Sequence, residues 1–286
     1  MNIQKECVEC IVGQIDKALR VLDINDLRYD KIMNEVKNQS LDFSYDHTPP
    51  FVAKDPYAYL SKELGLEDPL YEIKQQSIQK AIELLPIVYS ELERSEDKLF
   101  SAIKASVAGN VIDFGAKEQY SIEDEINSVF KTNFAIDRYK DLKSNIEKYD
   151  DILILADNSG ENVFDKVLLE VLNKLYPNKN YYYATRGRPI INDITIKEAY
   201  QIGIDRFATI LDSGVDTPGL DLSRASSDFK EFFYRVPLII AKGMGNYECL
   251  EQLKDDRIFF LFKVKCDVVA KSIGQKSGDL ILAQFV

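Results

Sequence analysis

The chain has 286 residues, with 36 Lys and Arg against 47 Asp and Glu and a formal net charge of −11 at pH 7. At 45% hydrophobic and 29% charged residues, the composition is that of a globular protein of one large domain or two, which excludes wholesale disorder. The longest apolar runs, such as Ile152–Ala156 and Ile258–Phe262, fall far short of the ~20 residues of a membrane-spanning helix. The first residues, MNIQKECVEC, lack the apolar core of a signal peptide. The acidic balance argues against nucleic acid or an anionic membrane as partner. The expectation is a cytoplasmic protein that takes a small anionic substrate only where cationic groups or a metal gather locally.

Residues 1 to about 148 read as mostly helical. Ile3, Cys7, Ile11, Ile15, Ala18 and Leu22 recur at helical spacing. A loop from about Asp46 to Asp55 contains HTPP. A second helix is predicted from about Tyr71 to Glu93, with Ile78, Ile82, Leu85 and Val88 on one side and a kink or break at Pro86. A third, from about Glu96 to Val107, runs into GNVIDFG at Gly109–Gly115.

From Asp150 the pattern becomes β-α-β. Short apolar runs at Asp151–Asp157, Tyr181–Thr185, Arg206–Asp212, Val236–Lys242 and Ile258–Lys263 have the β-branched and aromatic character of strands buried on both faces of a parallel sheet. Helical stripes separate them, one stopping at Pro177 and another at Gly203. GDLILAQF at the C-terminus reads as an edge strand. The predicted architecture is a doubly wound, mostly parallel sheet with right-handed crossovers. A helical region over residues 1–98 precedes an α/β domain over 99–286.

Each predicted strand is followed by a polar cluster: DNSGE (Asp157–Glu161), RGRPIIND (Arg186–Asp193), DSGVDTPG (Asp212–Gly219), KGMGNYE (Lys242–Glu248) and KVKCD (Lys263–Asp267). Ligands in open α/β sheets bind outside the carboxyl ends of the strands, so these clusters should share one rim. Asp157, Asn158 and Asp193 stand at the ends of strands joined by one βαβ unit and should lie side by side. Two carboxylates and an amide oxygen, without His or thiolate, suit a hard divalent cation such as Mg²⁺ or Mn²⁺. Taken singly, Asn158 and Asp193 read better as helix N-caps; all three at adjacent strand ends favour a metal.

The N–H groups of Ser159 and Gly160 would form an anion site at a helix N-terminus, and Lys265 could face a phosphate. Arg186, Arg188 and Lys242 are further cations of the rim, each more often surface than site. Gly243 and Gly245 lack the third glycine of a dinucleotide fingerprint and read better as a tight loop presenting Asn246. There is no GxxxxGK[ST] loop. His47 is the single histidine, and four cysteines, Cys7, Cys10, Cys249 and Cys266, are too few for a disulfide scaffold. Cys7 and Cys10 could bind zinc with Cys266, do redox work, or simply line a helix contact.

The run DNSGENVFD resembles the signature of the damage-control phosphatase family, formerly the domain of unknown function 89. GNVIDFG, RGRPIINDIT, DSGVDTPG, KGMGNYE and KCDVVAKSIG match in the family's order, and CVEC near the start fits its stand-alone prokaryotic branch. The resemblance covers nearly the whole chain and is weakest from about Asn25 to Asp97. It implies a three-layer α/β/α sandwich with helices packed over the rim. It also implies a divalent metal (Mn²⁺, Mg²⁺, Co²⁺ or Ni²⁺) held by Asp157, Asn158 and Asp193, and hydrolysis of phosphate monoesters of small, damaged or surplus metabolites such as sugar phosphates. The family lysine falls on Lys265, and family amides fall on Asn110 and Asn246. Ser159 stands where the family usually has Ala, and Cys249 where Thr is more usual.

The expected catalytic group is Asp157, Glu161 and Lys265, with Glu161 orienting or deprotonating a water. Asn110, Ser159, Gly160, Lys242 and Asn246 are the expected substrate contacts. An attacking water and an aspartyl-phosphate at Asp157 are both open routes. Two other readings are an adenosyl-methionine-dependent carboxyl methyltransferase, which the α/β fold and the GMG turn permit, and a non-catalytic metabolite-binding protein. The oligomeric state is open.

Overall fold

In the computed structural model, residues 1–108 and 126–285 are described; Asn110 and the GNVIDFG run lie outside them. Five helices come first: α1 (Lys5–Val21), α2 (Leu27–Leu41), α3 (Pro49–Leu64), α4 (Tyr71–Arg94) and α5 (Lys98–Ala108). The HTPP segment differs from the expected loop. Thr48 accepts a hydrogen bond from the N–H of Phe51, and the two prolines open α3, where a missing N–H costs no helical bond. Helix α2 has no counterpart in the sequence reading. Helix α4 runs through Pro86 without a break. Its buried line is Ile78, Ala81, Leu84 and Val88, while Ile82 is exposed. The proline removes the hydrogen bond to the Ile82 carbonyl, on the solvent side of the helix, where water can replace it.

The sheet has seven strands: β1 (Ile136–Asp137), β2 (Asp151–Leu155), β3 (Asn180–Thr185), β4 (Thr209–Asp212), β5 (Leu238–Lys242), β6 (Ile258–Lys263) and β7 (Leu280–Ala283), in the order β1-β7-β6-β5-β2-β3-β4. Strands β2 to β6 are mutually parallel, and β7 runs antiparallel to β6. The short β1 flanks β7, so the C-terminal strand is not the sheet edge. Arg206 closes a single helical turn, and β4 begins three residues later than the apolar run suggested. Helices α6 (Tyr139–Lys148), α7 (Glu161–Leu175), α8 (Ile196–Gln201), α9 (Ser227–Arg235), α10 (Gly243–Leu250) and α11 (Asp267–Ile273) fill the connections.

Strand β2 shows why the sheet is covered twice. Ile152 and Ile154 enter one hydrophobic cluster with residues of α4, α5 and α7, and Leu153 and Leu155 enter another with residues of α9, α10 and α11. Alternating side chains of a pleated strand point to opposite faces, so two apolar faces require helices on both sides. The result is an α/β/α sandwich.

Helices α1 to α3 form a further cluster that also takes in Ile190 of the β3–α8 loop. The helical region thereby sits on one of the polar clusters at the strand ends. Helix α4 belongs to the sheet's own core, although it precedes the boundary expected after residue 98. No helix among the described residues is long and apolar enough to cross a membrane.

Candidate active site

From β2 the chain steps to β3 and β4 on one side, then returns to place β5 and β6 on the other. The crevice between the carboxyl ends of β2 and β5 is therefore the topological switch point, where such sheets bind ligands. Asp157 lies just past β2, Arg186 just past β3, and Lys242 ends β5.

Asn158 and Asp193 pair directly as an isolated antiparallel bridge, and the N–H of Ile194 donates to the Asp157 carbonyl at 3.0 Å. The three expected metal ligands are thus neighbours. Neither Asn158 nor Asp193 caps a helix: the N-cap of α7 is Gly160 and that of α8 is Thr195. Ile191, two residues before Asp193, is held at φ 46°, a strained value for a β-branched residue. Its anchoring against the helical cluster holds the loop that presents Asp193.

The site is acidic and buried. Asp157, Glu161, Asp165 and Asp193 are all buried, as are the cations Arg186 and Lys242. Burial, then repulsion from Glu161 and Asp193, drives the Asp157 carboxyl well above its ordinary range. Burial raises Asp193 as well, against the opposing pull of Arg186. Glu161 is pushed up to about 7 by burial, with Lys242 and Lys265 pulling the other way.

The Asn158 amide donates to Asp157 Oδ2 at 2.9 Å and to Glu161 Oε1 at 3.2 Å. Lys265 is exposed, its backbone N–H against Met244 Sδ at 3.2 Å. Its charge lowers the pKa of Asp157, Glu161 and Asp193 alike.

Other residues serve differently from expectation. The N–H of Ser159 donates to the Asn192 carbonyl at 2.8 Å, and that of Gly160 to Asn162 Oδ1 at 2.9 Å. Both backbone donors expected for an anion are engaged within the fold, that of Ser159 with the loop after β3 and that of Gly160 with the start of α7. Lys242 is fully buried, with Nζ donating to Asp165 Oδ1 at 2.6 Å, to the Ser106 carbonyl at 3.0 Å and to Glu161 Oε2 at 3.4 Å. Burial lowers its pKa, but Asp165 and Glu161 outweigh that and the net direction is up. It is a buried counter-ion beneath the site, not a rim cation. Tyr183 adds a hydroxyl on Asp165 Oδ2 at 2.8 Å.

Asn246 accepts from the Leu220 N–H and donates to the carbonyls of Lys242, Ala156 and Leu155. Its amide clamps the ends of β2 and β5 together and has no N–H left for a phosphate. Arg186, discounted as surface, is buried, whereas Arg188 is exposed. Lys74 of α4 is a buried cation that the sequence did not single out. It pairs with Asp68 at 2.8 Å and lies 3.9 Å from Glu198, and its charge lowers the pKa of Asp193.

The glycines of the GMG turn are explained by packing. A Cβ on Gly243 would lie 1.9 Å from Asp157 Oδ2, and one on Gly245 would lie 2.1 Å from the Pro218 carbonyl oxygen. All four cysteines are free, with Cys7 buried and Cys10 exposed. Burial raises the thiols of Cys7 and Cys266, the opposite of an activated thiolate.

The donor set fits a hard divalent ion. No group of three or more His, Cys, Asp and Glu among the described residues could hold a metal ion by itself; the expected set has two carboxylates, and its third member is an amide. Asp157, Glu161 and Asp193 are buried together with raised carboxyls, a condition that a divalent cation among them would relieve. Ser159 Oγ, Asn162 Nδ2 and Arg186 Nη2 are buried without a hydrogen-bond partner, the condition of a pocket built for a further group.

Comparison with known proteins identifies the family. A damage-control phosphatase of Pyrococcus horikoshii is 30% identical over 283 residues, covering 98% of this chain and 97% of its own. One from Archaeoglobus fulgidus is 29% identical over 290 residues, covering 98% of each. The crystal structure of a domain-of-unknown-function 89 protein from Pyrococcus horikoshii superposes with a TM-score of 0.92 at 29% identity, over 100% of both chains. A mouse 4′-phosphopantetheine phosphatase is 24% identical over 201 residues, covering 60% of this chain and 24% of its own. The damage-control phosphatase ARMT1-like domain matches residues 3–281, and the chain belongs to that family.

Proposed function

We propose that this chain is a divalent-metal-dependent phosphatase that hydrolyses phosphate monoesters of small, damaged or surplus metabolites. The observation that carries the reading is the direct pairing of Asn158 with Asp193 beside Asp157, at the switch point, among buried acids. Asp157, Asp193 and the Asn158 amide would hold the ion, which when bound supplies charge neutralisation for the phosphoryl group and polarises a water. Glu161, raised to about 7, is suited to take a proton from an attacking water near neutral pH. Lys242, itself held by Asp165, fixes Glu161, and Lys265 brings positive charge to an otherwise acidic pocket. Sugar phosphates and phosphopantetheine-like esters are the substrate classes to try.

The test is release of phosphate from a panel of sugar phosphates, nucleotides and phosphopantetheine with Mg²⁺, Mn²⁺, Co²⁺ or Ni²⁺ in turn, alongside melting curves with and without Mn²⁺. Asp157→Ala should abolish metal-dependent turnover and the rise in melting temperature that Mn²⁺ gives the wild type. The variant should melt no lower than the metal-free wild type, because it removes a buried and mutually repelled acid. Wild-type turnover in the folded variant would end the metal assignment.

A further inference from the structure

Arg186 is the buried cation that the two acid ligands share. Its Nε donates to Asp193 Oδ2 at 2.7 Å, and its Nη2 stands 3.6 Å from Asp157 Oδ1. Only 2% of the residue is exposed. Its backbone is fixed too: the N–H donates to the Ile194 carbonyl at 3.0 Å, and the residue pairs with Thr195 across a bridge. A guanidinium offers five N–H donors in a rigid fork. Here one arm is used on Asp193, while Nη2 makes no hydrogen bond among the described residues.

A buried donor left unmade is costly unless a ligand completes it. The competing anion receptors are already engaged. The N–H groups of Ser159 and Gly160 bond within the fold, and the Lys242 ammonium is held by Asp165, Glu161 and the Ser106 carbonyl. A phosphoryl group drawn toward Asp157 and Asp193 would meet two carboxylates, and Arg186 is the positive charge beside both.

We propose that Arg186 receives a phosphoryl oxygen, its Nη2 donating to the anionic ligand while its Nε holds Asp193. The assignment rests on the phosphatase reading but concerns the anion rather than the metal. Two further buried donors without a partner, Ser159 Oγ and Asn162 Nδ2, lie between the end of β2 and the first turn of α7.

Inorganic phosphate, titrated calorimetrically into wild type, Arg186→Gln and Arg186→Lys with and without Mn²⁺, tests this. Mn²⁺ binding is read separately by electron paramagnetic resonance, and folding by circular dichroism. Arg186→Gln should weaken phosphate binding roughly tenfold or more while still binding Mn²⁺. Arg186→Lys should recover part of the affinity, because it keeps the charge and loses the fork. Wild-type phosphate affinity in Arg186→Gln overturns the proposal, as does its losing Mn²⁺ and phosphate together while folded, which would make Arg186 a positioning residue for the acids. Should the Gln variant not fold, wild-type affinity in Arg186→Lys overturns it instead. A wild-type protein that binds phosphate without Mn²⁺, and loses it in Arg186→Gln, would sustain the proposal while the metal reading fails. Absence of phosphate binding by the wild type in both conditions would sink it.

Discussion

The Asp157 carboxylate rests on the bare Cα of Gly243, whose φ of 75° is one that glycine adopts freely. Alanine there would place its Cβ 1.9 Å from Asp157 Oδ2, so the carboxylate must move. Gly243→Ala should lower kcat by about 100-fold, the usual cost of a misplacement near 1 Å in a catalytic group. It should also destabilise the fold by more than ~1 kcal/mol, measured by urea denaturation. At this scale Asp157, Asn158 and Asp193 were legible because acids and amides just past apolar strands of one βαβ unit have few places to go. Arg186 and Lys242 were not, because lysine and arginine are surface residues unless partners from elsewhere take them in. Lys242 owes its burial partly to Ser106, 136 positions away.

Element boundaries tell a similar story. The Thr48–Pro49 cap of α3 was present in the sequence as a helix-start signal but was read as a loop, because two adjacent prolines look like a turn. Helix α8 starts with a full capping box: the Thr195 hydroxyl accepts from the Lys197 N–H, and Glu198 Oε2 accepts from the Thr195 N–H at 2.8 Å and its hydroxyl at 2.7 Å. This box lies two residues past Asp193, and Glu198 also faces Lys74 of α4. Thr195→Ala should cost roughly 1 kcal/mol of stability. Because the Asn158–Asp193 bridge adjoins the cap, weaker Mn²⁺ binding should accompany the loss, read by the shift in melting temperature that Mn²⁺ produces. Strand positions were predicted within a few residues, since continuous apolar runs of this length suit strands buried on both faces. Helix α2 was missed because only Ile32, Met33 and Val36 of its side chains are buried, too thin a stripe to stand out.

Across the whole molecule, the chain's start is tied to its late helices. The Met1 ammonium donates to the Glu248 carbonyl and lies 3.1 Å from Glu251 Oε1. Burial raises the Glu248 carboxyl to about 7, although the Met1 ammonium pulls it down. A raised carboxyl means that the folded state holds its proton more tightly than the unfolded one. Its contribution to stability is therefore most favourable below the unfolded value near 4.5 and falls as pH rises toward 7. The melting temperature of Glu248→Gln should gain on the wild type over that window, with the difference level above it; a difference independent of pH would contradict the assignment. The net charge of −11 sets the larger problem, for an anionic substrate must cross an acidic surface. In the proposed reading, Lys265 and Arg186 supply the positive charge that answers it.

The sequence by itself determined the parallel sheet, the convergence of its loops on one rim, and the neighbourhood of Asp157, Asn158 and Asp193, because periodicity and crossover length are local properties of a chain. The tertiary structure decided which cations are buried, which N–H groups remain free for an anion, and which glycine lies beneath the carboxylate. Those depend on partners contributed by remote segments such as α4 and α5, and a charge's burial is set by everything packed around it rather than by its place in the sequence.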